Sequence, residues 1–458
     1  MIMDNRLALG LDIGTTSIAV IAVDSVTGEA VDSASFKNDF TLEGRPFERL
    51  QDAVKITEKC FEVIDSFIDR HPGILCIGIT GQMHGILYID GEGKAVSPLY
   101  TWQDMSGEEP YESGGSYSKK LSRITGYPVA SGYGSATYFY HKENNLVPPS
   151  AVKICTVHDF AAMALTGRET PVTHISDAAS FGLFDIKARE FDKAAIEKAG
   201  LNYGFYPDVV SGARIIGEYK NIPVCCAVGD NQASFIGSVA DCESSVLVNI
   251  GTGSQISFAS ESQAKTENAE TRPLHESKNI IAGFALCGGR AFAALEKFIR
   301  ETINLSDSKT DSAYPFIDRF LAVSEEPRDP LTVRTTFGGT RADPGMRGEI
   351  SGIGLDNFTP AHLIYGVMNG IADELVSIYN SCKKPTHSRV IGSGNGLRKN
   401  RALQKIIEKR LGMKLLIPVN DEEAAYGAVL YALTAFGRYK TLEDAQKLIK
   451  YKEAGDTQ

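Results

Sequence analysis

Short apolar runs alternate with longer amphipathic stretches along the whole chain, a pattern that predicts layered α/β structure. Residues 7–11 (LALGL) and 17–23 (SIAVIAV) predict two strands around a small polar turn, and 24–29 (DSVTGE) predict a second turn, so the chain opens as an antiparallel meander. Over 46–70, Phe47, Leu50, Val54, Phe61, Ile64 and Phe67 recur near a 3.6-residue period with charges between them, which predicts one amphipathic helix. It leads into 74–80 (ILCIGIT), apolar enough for a buried strand, and then into a Gly-Gln-Met-His-Gly loop.

The plan repeats further on. Residues 245–248 and 255–259 predict two strands around another small polar turn, 289–302 and 361–379 predict helices, 388–392 (SRVIG) a strand and 398–411 a helix. The repeat predicts two related lobes, 1–239 and 240–458, with a boundary near Ala240 in GSVADCESS and a central cleft between them. At 458 residues the chain is long enough for two cores of roughly 200 to 250 residues each.

The repeated turns are "LDIGTTSI" at 11–18 and "VNIGTGSQ" at 248–255. Gly, Thr and Ser between strands aim backbone N–H groups and hydroxyls at one point, a concavity suited to phosphate oxygens, although one such turn alone also serves a plain hairpin. Two copies at matching places point to a polyphosphate held from both sides. Only the first copy carries an acid: Asp12 suits Mg²⁺, directly or through its water shell, and Asn249 is its uncharged counterpart. "GSGNG" at 392–396 lets backbone approach a base or ribose, or makes a bare turn between strand and helix. G-x-G-x-x-G is missing there and no G-x-x-x-x-G-K-[ST] occurs, so the Rossmann and P-loop readings lose their main support.

Composition narrows the class. Apolar content of 43% with 23% charged excludes a disordered or fibrous chain, and a net charge of −10 without a Lys/Arg-rich run gives no footing for nucleic acid or an anionic membrane. The eight cysteines form no C-x-x-C pair and fall mostly in apolar runs, as expected of buried thiols in a reducing cytosol. Asp4, Arg6 and Asp12 interrupt any leader-like stretch, and no apolar run reaches the ~18 residues of a membrane span, so a cytoplasmic protein is expected.

"LDIGTTS", "GITGQMHG", "LYTWQD", "CAVGDNQAS", "VNIGTGSQIS", "GSGNG" and "EEAAYGAVLYA", in this order over nearly the whole chain, resemble the FGGY carbohydrate kinases. The resemblance implies the actin-like ATPase (ribonuclease H-like) α/β fold of two duplicated lobes, with ATP and Mg²⁺ as cofactors. It implies Asp230 as the general base toward a sugar hydroxyl, with Asn231 holding the sugar and Gln82, Met83, His84, Trp102 and Asp104 lining its pocket. Asp12 would serve the metal, Gly14, Thr15, Thr16, Gly251 and Thr252 the phosphates, and Gly289, Gly394 and Asn395 the nucleoside. The Gln-Met-His-Gly loop and the Trp-Gln-Asp segment are most similar to those of kinases for a C7 ketose, then to those for D-xylulose.

From the residues alone, Trp102 is equally a core ring or a face for sugar C–H groups, and His84 a core histidine or a hydroxyl donor. Asp230 could also cap a helix over 231–236. The chain departs from the family pattern at Ala19, where a Lys or Arg is usual, and at Met105-Ser106, where Gly-Arg is usual. Arg290, Lys399 and Arg341 are the candidates to compensate. These losses keep open a second class, a sugar- and nucleotide-binding sensor of weak turnover, against which the retained Asp12 and Asp230 speak. The expected partners are a sugar and ATP, with no nucleic acid and no membrane, the chain acting as a monomer or a homodimer.

Overall fold

The computed structural model describes residues 6–111, 114–264, 266, 269–340, 343, 345–382 and 387–453. The chain divides into two compact units. Unit 1 comprises Met1–Ala240, Arg272–Lys278 and Asn420–Ile449; unit 2 comprises Asp241–Thr271, Asn279–Val419 and Lys450–Gln458.

Unit 1 is built on a meander of β1 (Leu7–Ile13), β2 (Ser17–Asp24) and β3 (Ala30–Lys37). Helix α1 (Ala53–Arg70) crosses to β4 (Ile74–Gly81), which lies parallel to β1. The helix is shorter than its apolar period predicts. Asp52 caps it by accepting the N–H groups of Val54 and Lys55, while Leu50 is drawn into a ladder with Leu42 and Tyr100. Local capping and strand pairing thus outweigh periodicity before residue 52. Helices α2 (Val157–Leu165) and α3 (Ile175–Ser180) follow, then β5 (Ile215–Tyr219), β6 (Ile222–Cys225), the short β7 (Val228–Gly229) and α4 (Asp230–Ser238). The sheet runs β5-β6-β4-β1-β2-β3, with β7 also paired to β4. Leu9, Leu11, Ile13, Ile56, Ile64, Phe67 and Ile77 form its core.

A second sheet of the same plan belongs mostly to unit 2. The strands β8 (Ser245–Ile250), β9 (Ser254–Ser260), β10 (Ala269–His275), β11 (Lys278–Ala285), β12 (Arg389–Ser393), β13 (Lys414–Pro418) and β14 (Tyr451–Glu453) take the order β10-β11-β9-β8-β12-β13-β14. From β11 to β14 the sequence of parallel and antiparallel neighbours matches that from β3 to β5, with β8 in the place of β1 and β12 in that of β4. Helix α5 (Gly288–Ile303) follows β11, and α6 (Pro360–Ser381) precedes β12. The helix expected over 398–411 is split into α7 (Asn395–Arg398) and α8 (Arg401–Leu411). Asn400 makes the break by accepting the Leu403 N–H as the cap of α8.

The chain then returns to unit 1 as α9 (Glu423–Ala435), which lies on β1 and β4 and against α4. The approach is closer than any side chain permits. A Cβ on Gly10 or Gly78 would stand 2.0 Å from the carbonyl oxygens of Ala425 or Ala428, and one on Gly427 would stand 1.8 Å from that of Ala233. Glycine is required at these positions by space and not by backbone angle.

All eight cysteines are buried and free, and among the described residues no helix is long and apolar enough to cross a membrane. Because a backbone carbonyl cannot move aside as a side chain can, Gly427→Ala should lower the unfolding free energy by about 3 kcal/mol or more. Gly91→Ala, with no atom within 4 Å of the added methyl, should leave the denaturant midpoint nearly unchanged.

Candidate functional site

In unit 1 the polar residues gather at the carboxyl ends of three neighbouring strands, where an open parallel arrangement leaves its crevice. Asp12, near the end of β1, is in register with Thr80 of β4. On the other edge of β4, Val228 and Gly229 pair with Thr80 and Gly81, so the chain enters α4 at Asp230 beside the same strand end. Gly229 occupies the cap position of α4. Asp230 is the first helical residue, not the cap, and its carboxylate accepts the Asn231 backbone N–H.

Burial dominates the electrostatics. Asp12 Oδ1 is buried without a hydrogen-bond partner. Loss of solvent, then the charges of Asp230 and Glu422, push the Asp12 carboxyl up to about 7. Burial lifts Asp230 to about 6 against the pull of His158, and burial also raises Glu422, the residue just before α9. Three carboxylates therefore act on one place, and a cation is what would relieve them. This fits a divalent metal at Asp12: a hard oxygen ligand with an unused lone pair in a negative field.

A hydrogen-bonded chain ties the first turn to the expected sugar residues. Trp102 Nε1 donates to Thr15 Oγ1 at 2.9 Å, and Thr15 Oγ1 lies 3.3 Å from Gln82 Oε1. Gln82 Nε2 donates to Gln51 Oε1 at 2.8 Å, and Gln51 Nε2 to the Thr15 carbonyl at 2.9 Å. Trp102 is 47% exposed, so it is not a core ring. Thr16 is exposed and Gly14 half-buried, its carbonyl accepting from Asn38 Nδ2 at 2.7 Å.

His84 has a positive φ of 73°, a strained value for a side chain with a Cβ. Its Nδ1 stands 2.9 Å from the Ser180 carbonyl, and its ring stacks on Tyr133 at 4.6 Å. Met83 is buried, filling the space beside Gly229. Asn231 follows Asp230 in α4 and is half-buried. Asp104 lies two residues after Trp102. It is fully buried; its Oδ1 accepts from the Ser106 N–H and hydroxyl, while its Oδ2 has no hydrogen-bond partner among the described residues.

In unit 2 the second turn is assembled with the glycines expected at the nucleoside. Gly289 N–H donates to the Gly251 carbonyl at 2.9 Å and Arg290 N–H to the Thr252 carbonyl at 3.0 Å, tying the start of α5 to the turn. Gly394, at φ +78°, packs its bare Cα on Ile250, where a Cβ would stand 2.5 Å from the carbonyl oxygen, and Asn395 follows it. Asn249 Nδ2 donates to Ser393 Oγ at 2.8 Å, so its amide serves the strand pair where Asp12 keeps an oxygen unused.

The compensating cations resolve differently. Ala19 is buried and stands across from Asp12 in the β1–β2 ladder, so no charge reaches Asp12 from that position. Arg290 is exposed, Lys399 lines a cavity of about 650 Å³ with Asn400, Lys405 and Tyr365, and Arg341 lies outside the described residues. The sequence reading missed a buried group, His158, Asp159 and Asp177, whose ligand-type atoms lie within 4.8 Å of one another. Its signal was charged residues inside otherwise apolar or small-residue runs, VHDFAAMAL and ISDAAS.

Residues 7–247 match the N-terminal domain of the FGGY family of carbohydrate kinases, and residues 246–436 match its C-terminal domain. A sedoheptulokinase of Mus musculus is 24% identical, the match covering 93% of this chain and 97% of that protein. A xylulose kinase from Rhodospirillum rubrum superposes with a TM-score of 0.83 at 20% identity, covering 98% of this chain and 93% of that one. A glycerol kinase of Plasmodium falciparum, solved with ADP, gives a TM-score of 0.79 at 19% identity, covering 96% and 92%. The two matched sheets are thus those of the actin-like ATPase fold shared by these kinases.

The folded-state pKa of Asp12 lies above its ordinary value of 3.8, so its ionisation costs stability as pH rises from there through about 7. Asp12→Asn should therefore raise the melting temperature of the metal-free protein by a few degrees at about pH 8, and the difference should close by about pH 4.

Proposed function

The chain belongs to the FGGY family of carbohydrate kinases, phosphotransferases that act on sugar hydroxyl groups, and on that premise we propose that it transfers the γ-phosphoryl group of ATP to the terminal hydroxyl of a ketose. Sedoheptulose, giving sedoheptulose 7-phosphate, is the first choice, supported by the sedoheptulokinase likeness over 93% of the chain. D-Xylulose is the second, favoured by the xylulose kinase fold match. Sugar binding and the base are assigned to the first lobe, and the nucleotide to the second.

The observation that carries the reading is Asp230 at the first turn of α4, a half-buried carboxyl lifted to about 6 by loss of solvent. A carboxylate of that basicity is ionised at neutral pH and still a useful proton acceptor. As the hydroxyl oxygen bonds to the γ-phosphorus, Asp230 accepts the hydroxyl proton and ADP leaves. Phosphoryl transfer asks mainly for alignment and charge neutralisation, so the remaining residues place and orient. Asn231 and Gln82 hold hydroxyls, and the exposed Trp102 offers a ring face to sugar C–H groups. Thr15 is linked to both Gln82 and Trp102, so the phosphate turn and the sugar wall share one hydroxyl. Gly14, Thr15, Thr16, Gly251 and Thr252 take phosphate oxygens, and Gly289, Gly394 and Asn395 the nucleoside. Asp12 would hold Mg²⁺, which when bound supplies positive charge to the phosphates.

A coupled assay for ADP with MgATP and a panel of ketoses, polyols and aldoses tests the assignment. Turnover that is fastest with sedoheptulose is expected, and saturable sugar binding by calorimetry without turnover on any acceptor would put the weak sensor in its place. Asp230→Asn should lower kcat by about 10²–10⁴-fold while leaving sugar binding measurable. Because the base must be ionised, kcat/KM should fall on the acid side with a midpoint near the Asp230 value of about 6.

A further inference from the structure

Beneath the two acids lies a buried ionic group that the reaction as described does not use. His158, on α2, is fully buried, and its Nε2 stands 3.0 Å from Asp177 Oδ1 on α3, also fully buried. Space for the imidazole comes from β4: a Cβ on Gly81 would stand 3.0 Å from both His158 Cβ and Nδ1. Gly81 is the residue after Thr80, the register partner of Asp12, and is itself paired to Gly229. On α3, Ser176 Oγ accepts the Gly229 N–H at 3.0 Å, lies 3.4 Å from Asp177 Oδ2 and 2.9 Å from His174 Nδ1. The peptide that launches α4, and with it Asp230, is therefore fastened to the same short helix that holds His158.

We propose that His158, packed against Asp177, is a positioning residue for phosphoryl transfer that sets the charge around Asp230 and, through α3, Ser176 and Gly229, its seat. The inference rests on Asp230 as the base. The charged groups facing His158 are Asp177 on α3, Asp159 on its own helix, Asp230 on α4 and Asp12 on β1; Arg272 also acts on Asp230. Burial opposes a charged imidazole, but Asp177, then Asp159 and Asp230, raise His158 to about 9. His158 in turn lowers both Asp12 and Asp230. It supplies from below the positive charge that Ala19, opposite Asp12 in the ladder, does not.

The test compares wild type, His158→Gln and His158→Lys in pH profiles with MgATP and sedoheptulose, or D-xylulose, as acceptor. Loss of a nearby cation should move the acid limb of kcat in His158→Gln up by about one pH unit, with the sugar KM little changed. Below the limb this reads as a roughly tenfold loss of kcat that recovers on the alkaline side. His158→Lys should restore the limb. An unmoved limb in His158→Gln overturns the inference while Asp230→Asn, still inactive in the same assay, keeps the base; a near-normal Asp230→Asn removes the base itself. A readout free of any folding defect is ¹⁵N NMR of histidine-labelled wild type. An imidazolium at His158 persisting at about pH 8 is expected, and a neutral ring at about pH 7 overturns the inference.

Discussion

Unit 1 depends on one steric constraint: a helix laid on a sheet so closely that glycine backbone meets its carbonyl oxygens. At Gly10, Gly78 and Gly427 a methyl group would overlap a carbonyl oxygen, so the separation of α9 from β1, β4 and α4 is set by main-chain atoms. Such contacts resist relaxation, because no rotamer change relieves them. They also bring in Glu422 at the start of α9, whose charge acts on Asp12 although the two lie at opposite ends of the chain. The packing of a late helix thereby shapes the electrostatics of an early strand.

Gathering acids in a buried place is costly unless charge is supplied. Asp230 and Glu422 act on Asp12, Asp177 acts on Asp230 and Asp159, and His158, buried against Asp177, acts on Asp12, Asp230 and Asp159. Removing one partner of such a pair leaves a buried charge uncompensated, at a cost of about 3–5 kcal/mol. The group is better understood as holding geometry and charge for the acids than as adding stability, since replacement of a buried pair by apolar residues is often neutral or favourable.

The two sheets share strand order and direction, yet their equivalent turns have diverged in chemistry. Asp12 keeps a buried oxygen without a partner, while Asn249 spends its amide on Ser393. The first turn is wired through Thr15 to Trp102 and Gln82, the second through backbone to the start of α5. A duplicated frame thus provides two similar cradles, and side chains decide which can take a metal and which a neutral polar contact.

Alternation of apolar runs and the doubled small-residue turn made the two sheets legible in the sequence, because a strand beside a Gly-Thr turn is specified locally. Asp12 stood out as the one acid in the doubled turn, whereas Asp230 stood out only through the family resemblance. Helix ends were not. Asp52 and Asn400 set them by side-chain caps that a hydrophobic period does not register. Nor was the inward turn of Asp104, or the exposure of Trp102, since composition does not say which side of a loop faces water. The buried His158–Asp177 pair was the least accessible of all: its partners lie on separate elements, and neither spacing nor periodicity joins them. Sequence determined the strands, turns and acids through short-range chemistry. Tertiary structure alone decided which charges meet, because burial and proximity, which set a carboxyl's basicity, exist only once distant segments have packed.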